Sequence, residues 1–92
     1  MDANKVQAEY WASPSGLKWL EHEHALDTAM AGMLDMMLDT ADILSADRII
    51  DIGCGTGAST LEAARRVPEG MGLGVDISEP LLARAAGRAK EE

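Results

Sequence analysis

The run Arg48-Ile-Ile-Asp-Ile-Gly-Cys-Gly-Thr-Gly57 constrains this chain more than any other stretch. Ile49, Ile50 and Ile52 are β-branched and suit a pleated, packed setting. Only Asp51 interrupts the apolar run, as in a central parallel strand covered on both faces. Gly53, Gly55 and Gly57 let the backbone turn sharply, admit a ligand close to the main chain, and let the next helix sit tight on the strand. That helix, from about Ala58, opens with unpaired N–H groups facing the crevice. Asp76 ends a second apolar run, Met71-Gly-Leu-Gly-Val-Asp76, nineteen residues after Gly57. In a β-α-β unit that spacing puts a carboxylate at the tip of the neighbouring strand, within reach of the hydroxyls of a ribose. The pattern predicts a nucleoside-binding half-site.

The rest of the chain is read outward from this unit. Residues 1–16 are expected to form an irregular arm, because Ser13-Pro14-Ser15-Gly16 is turn chemistry. Tyr10 and Trp11 sit just before it, two aromatic side chains in need of something to cover. Residues 17–44 are assigned to a long helix that serves as lid or cover, with Leu44-Ser-Ala-Asp47 a short connection into the first strand. On a helical wheel Leu26, Met30, Met33, Met37, Ala41 and Leu44 share one stripe, with Asp35, Asp39 and Asp42 opposite. Trp19 falls on the apolar stripe, but so does Glu23, while Leu17 points away. A bend between Leu20 and Leu26 explains this, as would a half-buried, functional Glu23; the bend is favoured. Residues 45–92 then give β-α-β-α. Pro68-Glu69-Gly70 closes the first helix, Gly72 and Gly74 weaken the second strand, and Ser78 caps the last helix. The predicted fold is α/β, the first half of a doubly wound Rossmann-like parallel sheet preceded by an N-terminal helical arm.

Composition narrows the partners. Sixteen acids against eight bases give a net charge of −8, so there is no electrostatic footprint for nucleic acid or an anionic membrane. The acids are concentrated in residues 1–47, which hold nine of them against two bases. A lone cysteine, Cys54, excludes an internal disulfide and fits a reducing compartment. Without a leader pattern or an apolar run near ~18 residues, the expectation is a soluble, cytoplasmic protein.

Two cofactor classes use such a half-site. Gly53-x-Gly55-x-x-Ala58 loosely satisfies the G-x-G-x-x-G/A fingerprint of nicotinamide and flavin dinucleotide sites. Asp51-x-Gly53-x-Gly55-x-Gly57 resembles motif I of class I S-adenosylmethionine-dependent methyltransferases, where an acid precedes G-x-G-x-G. The longer run Ile50–Gly57, followed by Gly74-Val-Asp-Ile-Ser78, is similar to the same family. Tyr10-Trp11, Gly16-x-x-Trp19 and Leu26-Asp27 resemble the N-terminal arm of its small-molecule members. The resemblance covers nearly all of this chain but only about the first half of a complete family catalytic domain. Electrostatics leans the same way. A carboxylate at Asp51 would repel a pyrophosphate by about 1 kcal/mol or more at short range, and would attract a methionine ammonium.

The resemblance implies a role for each matching residue. The backbone of Gly53, Cys54, Gly55, Thr56 and Gly57 would line the methionine moiety of S-adenosyl-L-methionine, with Asp51 steering its ammonium. Asp76 would accept both ribose hydroxyls, Ile77 would pack on the adenine face, and Tyr10, Trp11 and Trp19 would form part of a lid. It also implies a small-molecule methyl acceptor, whose identity and catalytic groups lie on later strands, so the isolated chain is expected to show negligible turnover.

Several of these residues also have plainer readings. Asp51 could cap nearby backbone groups, and Asp76 could be a strand-end turn residue. Cys54 has no base at recognisable spacing, and His22 and His24 point to different faces of a helix and cannot chelate a metal together. The methionine stripe reads as core, and the bases of the last helix as complements to its dipole. A two-stranded parallel sheet would leave the apolar first strand with a bare edge, which predicts association as a homo-oligomer or with a missing C-terminal half. A non-catalytic nucleoside-binding or assembly module and a fragment of an NAD-dependent oxidoreductase remain the alternatives.

Overall fold

The computed structural model describes residues 3–91; positions 1 and 2 of the expected arm, and position 92, lie outside the described residues. The order is α1 (Ala3–Ala12), α2 (Pro14–Glu21), α3 (Glu23–Ala41), β1 (Arg48–Ile52), α4 (Ala58–Arg66), β2 (Met71–Val75) and α5 (Glu79–Glu91). Strands β1 and β2 pair in parallel, from Arg48 beside Met71 to Ile52 beside Val75. This is the opening half of a Rossmann-like sheet, with helices preceding and alternating with its strands.

The irregular arm expected over residues 1–16 is instead helical from Ala3. Ser13, extended at φ −78° and ψ 171°, separates α1 from α2, and Pro14 opens α2, where its missing N–H costs nothing. The turn chemistry of Ser13-Pro14-Ser15-Gly16 makes a corner between two helices rather than a loose loop. At that corner Gly16 is buried against the main chain of Trp11: a Cβ there would lie 2.2 Å from the Trp11 carbonyl oxygen. The single helix expected from Leu17 breaks at His22, within the stretch where a bend was favoured.

Helix α3 is rolled relative to the expected orientation. Leu38 is buried and Leu34 half-buried, while Met30, Met33, Met37 and Leu44 of the supposed core stripe are exposed. In this orientation Arg66 at the end of α4 pairs with Asp39 at 2.5 Å and Asp35 at 3.3 Å across the surface, and the methionines face solvent.

The sheet is covered on one face only. Ile49, Asp51, Gly72 and Gly74 face α4 and are half-buried. The opposite face carries Ile50, 66% exposed, Ile52, 83% exposed, and the exposed Leu73 and Val75. The apolar run that predicted cover on both sides is therefore half-used within these residues. The small core lies on the α4 side and around α5, where Ala63, Val67 and Leu81 are buried.

Candidate nucleoside-binding site

Local chemistry sets the loop between β1 and α4. Gly53, Gly55 and Gly57 all take positive φ, at 75°, 56° and 94°, a region that side-chain-bearing residues rarely adopt. The amides of Gly53 and Cys54 both donate to the Val75 carbonyl, tying the loop to the tip of β2. At that tip Asp76 receives two backbone amides: Gly55 N–H on Oδ2 and Ser78 N–H on Oδ1, each at 2.8 Å. Asp76 is thus both a strand-end turn residue and a brace for the glycine loop. A carboxylate has about four acceptor positions, so each oxygen keeps one for a ligand.

Above the loop lies a cleft of about 540 Å³. Its floor is Gly53, Gly55 and Thr56, Asp76 and Ile77 stand at one side, and Trp11 and Trp19 close over it. Aliphatic walls come from Ile52, Val75 and Leu81. Among the described residues, Asp76 is the one charged residue lining it, and no cation joins it. The tryptophans pack with ring centroids 6.1 Å apart, and Trp11 is held by its own carbonyl, which accepts from the buried Ser78 hydroxyl at 3.0 Å. Ser78 also caps α5, accepting from Leu81 N–H at 3.4 Å.

The sequence-derived residues divide accordingly. Gly53, Gly55, Thr56, Asp76, Ile77, Trp11 and Trp19 meet in the main cleft. Cys54 is buried and lines only a second cleft, of about 260 Å³, between α3 and the loop. Gly57 lines neither; it packs against α5, where an added Cβ would sit 3.0 Å from Ala85 Cβ. Tyr10 is half-exposed outside the cleft, edge-on to Trp11 at 5.1 Å. Asp51 departs most from expectation. Its Oδ2 accepts the hydroxyls of Ser59 at 2.5 Å and Thr60 at 2.7 Å, and it lines neither cleft. The reason is strand alternation: Asp51 points at α4, opposite to the open face. The two acids line no common cleft, though both act on Cys54 through their charge. Burial first, then the charges of Asp76 and Asp51, pushes the Cys54 thiol up, so it stays protonated and unreactive at neutral pH.

Sequence reasoning missed an ion network behind the loop. Glu23, on the first turn of α3, is gripped by Arg84 and Arg88 of α5; Arg88 also reaches Asp27 at 2.9 Å and the main chain of Thr56 at 3.2 Å. The signal is Glu23 on an apolar stripe, which a bend alone accounts for; the structure has both the break and the half-buried acid. Burial raises the Glu23 carboxyl, but the two guanidinium groups outweigh it and its pKa is lowered from 4.5. A lowered carboxyl contributes stability that is complete above its unfolded value and lost as pH falls through its folded value. The thermal midpoint should therefore fall on acidification below about 4.5, and Glu23→Gln should flatten that part of the profile. Circular dichroism melts between pH 3 and 6 would measure it.

These features define the opening half of a Rossmann-like α/β domain, with a carboxylate at the second strand tip and an aromatic cover over the first turn. Comparison with known proteins finds similarity to methyltransferases. The family described as "Methyltransferase domain" matches residues 49–92. Trans-aconitate 2-methyltransferase of Pseudomonas paraeruginosa is 48% identical over 50 residues, 54% of this chain and 18% of that protein. Nocamycin O-methyltransferase of Saccharothrix syringae is 41% identical over 56 residues, 60% of this chain and 20% of that protein. Methyltransferase str3 of Strobilurus tenacellus is 33% identical over 84 residues, 91% of this chain and 30% of that protein. No solved structure matches. The second half of the chain is thus similar to methyltransferase domains, and the chain spans between 18% and 30% of the length of these relatives. No described helix is long and apolar enough to cross a membrane.

Proposed function

We propose that this chain is the cofactor-binding opening of an enzyme that transfers a methyl group from S-adenosyl-L-methionine to a small-molecule acceptor. The observation that carries the reading is Asp76: a carboxylate braced by two amides, with acceptor capacity left over, at the edge of a cleft roofed by tryptophans. Its two oxygens suit the vicinal hydroxyls of a ribose, Ile77 suits an adenine face, and the glycine floor lets an amino-acid tail approach the main chain. The charge of the lining discriminates between cofactors. A pyrophosphate would meet one carboxylate and no cation, whereas a sulfonium is attracted. When bound, the cofactor supplies a methyl group activated on positively charged sulfur. The residues of this chain bind and align it and exclude water beneath Trp11 and Trp19. Asp51 ties β1 to the first turn of α4 through Ser59 and Thr60, and reaches a ligand only through its field.

Small-molecule acceptors are supported by the names of the relatives, which include a trans-aconitate and a nocamycin methyltransferase. The open apolar face and the unpaired edge of β1 suit a second copy or further polypeptide of the same enzyme. Calorimetric titration with S-adenosylhomocysteine and with NAD tests the cofactor. Heat is expected from the first and none from the second; binding of neither, with tight self-association, would favour an assembly module.

A further inference from the structure

The glycine loop is held from below by β2 and Asp76, but its last side chain before α4, Thr56, is gripped from behind. Arg88 Nη1 donates to the Thr56 carbonyl oxygen at 3.2 Å and to its hydroxyl at 3.3 Å. The same nitrogen reaches Glu23 Oε1 at 3.1 Å, and Nη2 reaches Asp27 Oδ2 at 2.9 Å. The Arg88 side chain is only 17% exposed, and that of Glu23 15%. Thr56 sits between two glycines in the left-handed region and lines both clefts, so its peptide has wide freedom unless something fixes it. One planar guanidinium thus joins three elements: α5, the first turns of α3, and the loop that floors the cleft.

We propose that Arg88 is a positioning residue that locks the glycine loop in its ligand-receiving shape through Thr56 and fastens that shape to α3 through Glu23 and Asp27. Balanced by two carboxylates, it brings no free positive charge to the site and acts by geometry. Lysine cannot replace it fully, because a single ammonium lacks the planar fork that spans Asp27, Glu23 and the Thr56 carbonyl at once. The nucleoside role of the loop rests on the function proposed above; the clamp itself does not.

Two readouts separate these claims. In the first, amide hydrogen exchange is followed in the unliganded 92-residue chain. Arg88→Met is expected to speed exchange at Gly55 and Gly57 by about tenfold while the β1–β2 ladder keeps its protection. In the second, S-adenosylhomocysteine is titrated against wild type, Arg88→Met and Arg88→Lys. Affinity is expected to fall about tenfold or more in the methionine variant and by less in the lysine variant. Loop protection equal to wild type in Arg88→Met, or protection lost evenly over the whole chain in both variants, overturns the clamp. So does a wild-type chain that binds S-adenosylhomocysteine alongside an Arg88→Met variant that binds it equally well. A wild-type chain that binds no S-adenosylhomocysteine, yet shows the exchange pattern, leaves the clamp standing and removes the proposed function.

Discussion

Asp76→Ala is expected to abolish measurable binding of S-adenosylhomocysteine while leaving most of the helical content in place. Each hydrogen bond between a hydroxyl and a carboxylate contributes about 1.5–3 kcal/mol, so losing both to a ribose corresponds to roughly two to four orders of magnitude in affinity. The substitution also orphans the amides of Gly55 and Ser78, which relaxes the loop and adds to the loss. Helices α3 and α4 make no contact with this carboxylate among the described hydrogen bonds, so the far-ultraviolet spectrum should change little. Asp76→Asn sharpens the experiment. It keeps the size of the side chain but turns one acceptor into a donor that faces an amide N–H, so it too should bind weakly. Titration and circular dichroism on the same samples give both quantities. Binding that persists unaltered in the alanine variant would detach Asp76 from the ribose and take the nucleoside assignment with it.

Gly16→Ala is expected to have the next largest effect, through the roof of the cleft rather than its floor. The added methyl would lie 2.2, 2.5 and 2.6 Å from the oxygen, carbonyl carbon and Cα of Trp11, all backbone atoms that cannot rotate away. Overpacking of this kind costs about 1–3 kcal/mol even when side chains can adjust, and here α1 must shift bodily. Trp11 moves with it, losing the Ser78 hydroxyl that holds its carbonyl and its packing against Trp19. The expected signature is a red-shifted tryptophan emission, a lower thermal midpoint and several-fold weaker S-adenosylhomocysteine binding, with the β1–β2 pair intact. Emission and affinity matching wild type would mean that the corner yields easily and that α1 is not anchored there.

What could be read from the sequence was the local backbone chemistry. Alternate glycines after a β-branched run can do little but turn, and all three do so with positive φ. Asp76 followed from its spacing, since one crossover helix fixes how far along the chain the next strand tip falls. Gly72 and Gly74, which made β2 look weak, instead allow close packing: a Cβ at Gly74 would sit 2.8 Å from Cys54 Sγ and from Thr60 Oγ1. The features that escaped are those set by distant residues. Ser78 and Trp11 are 67 positions apart, and Arg88 and Glu23 are 65. No helical wheel shows that Arg66, 27 and 31 positions away, will pair with Asp39 and Asp35, or that the methionines will face outward. The side to which Asp51 points could have been read from alternation along β1, had the covered face been known.

The uncovered layer of Ile50, Ile52, Leu73 and Val75 bears on any measurement of how firmly this chain holds together. A polypeptide that settles there binds the folded form and not the unfolded one, so mass action raises the melting temperature with concentration. A single thermal midpoint is then no fixed property of these residues. A dilution series decides the matter: a midpoint that rises with concentration reports a second copy on this face, and a constant one reports a chain that stands without it.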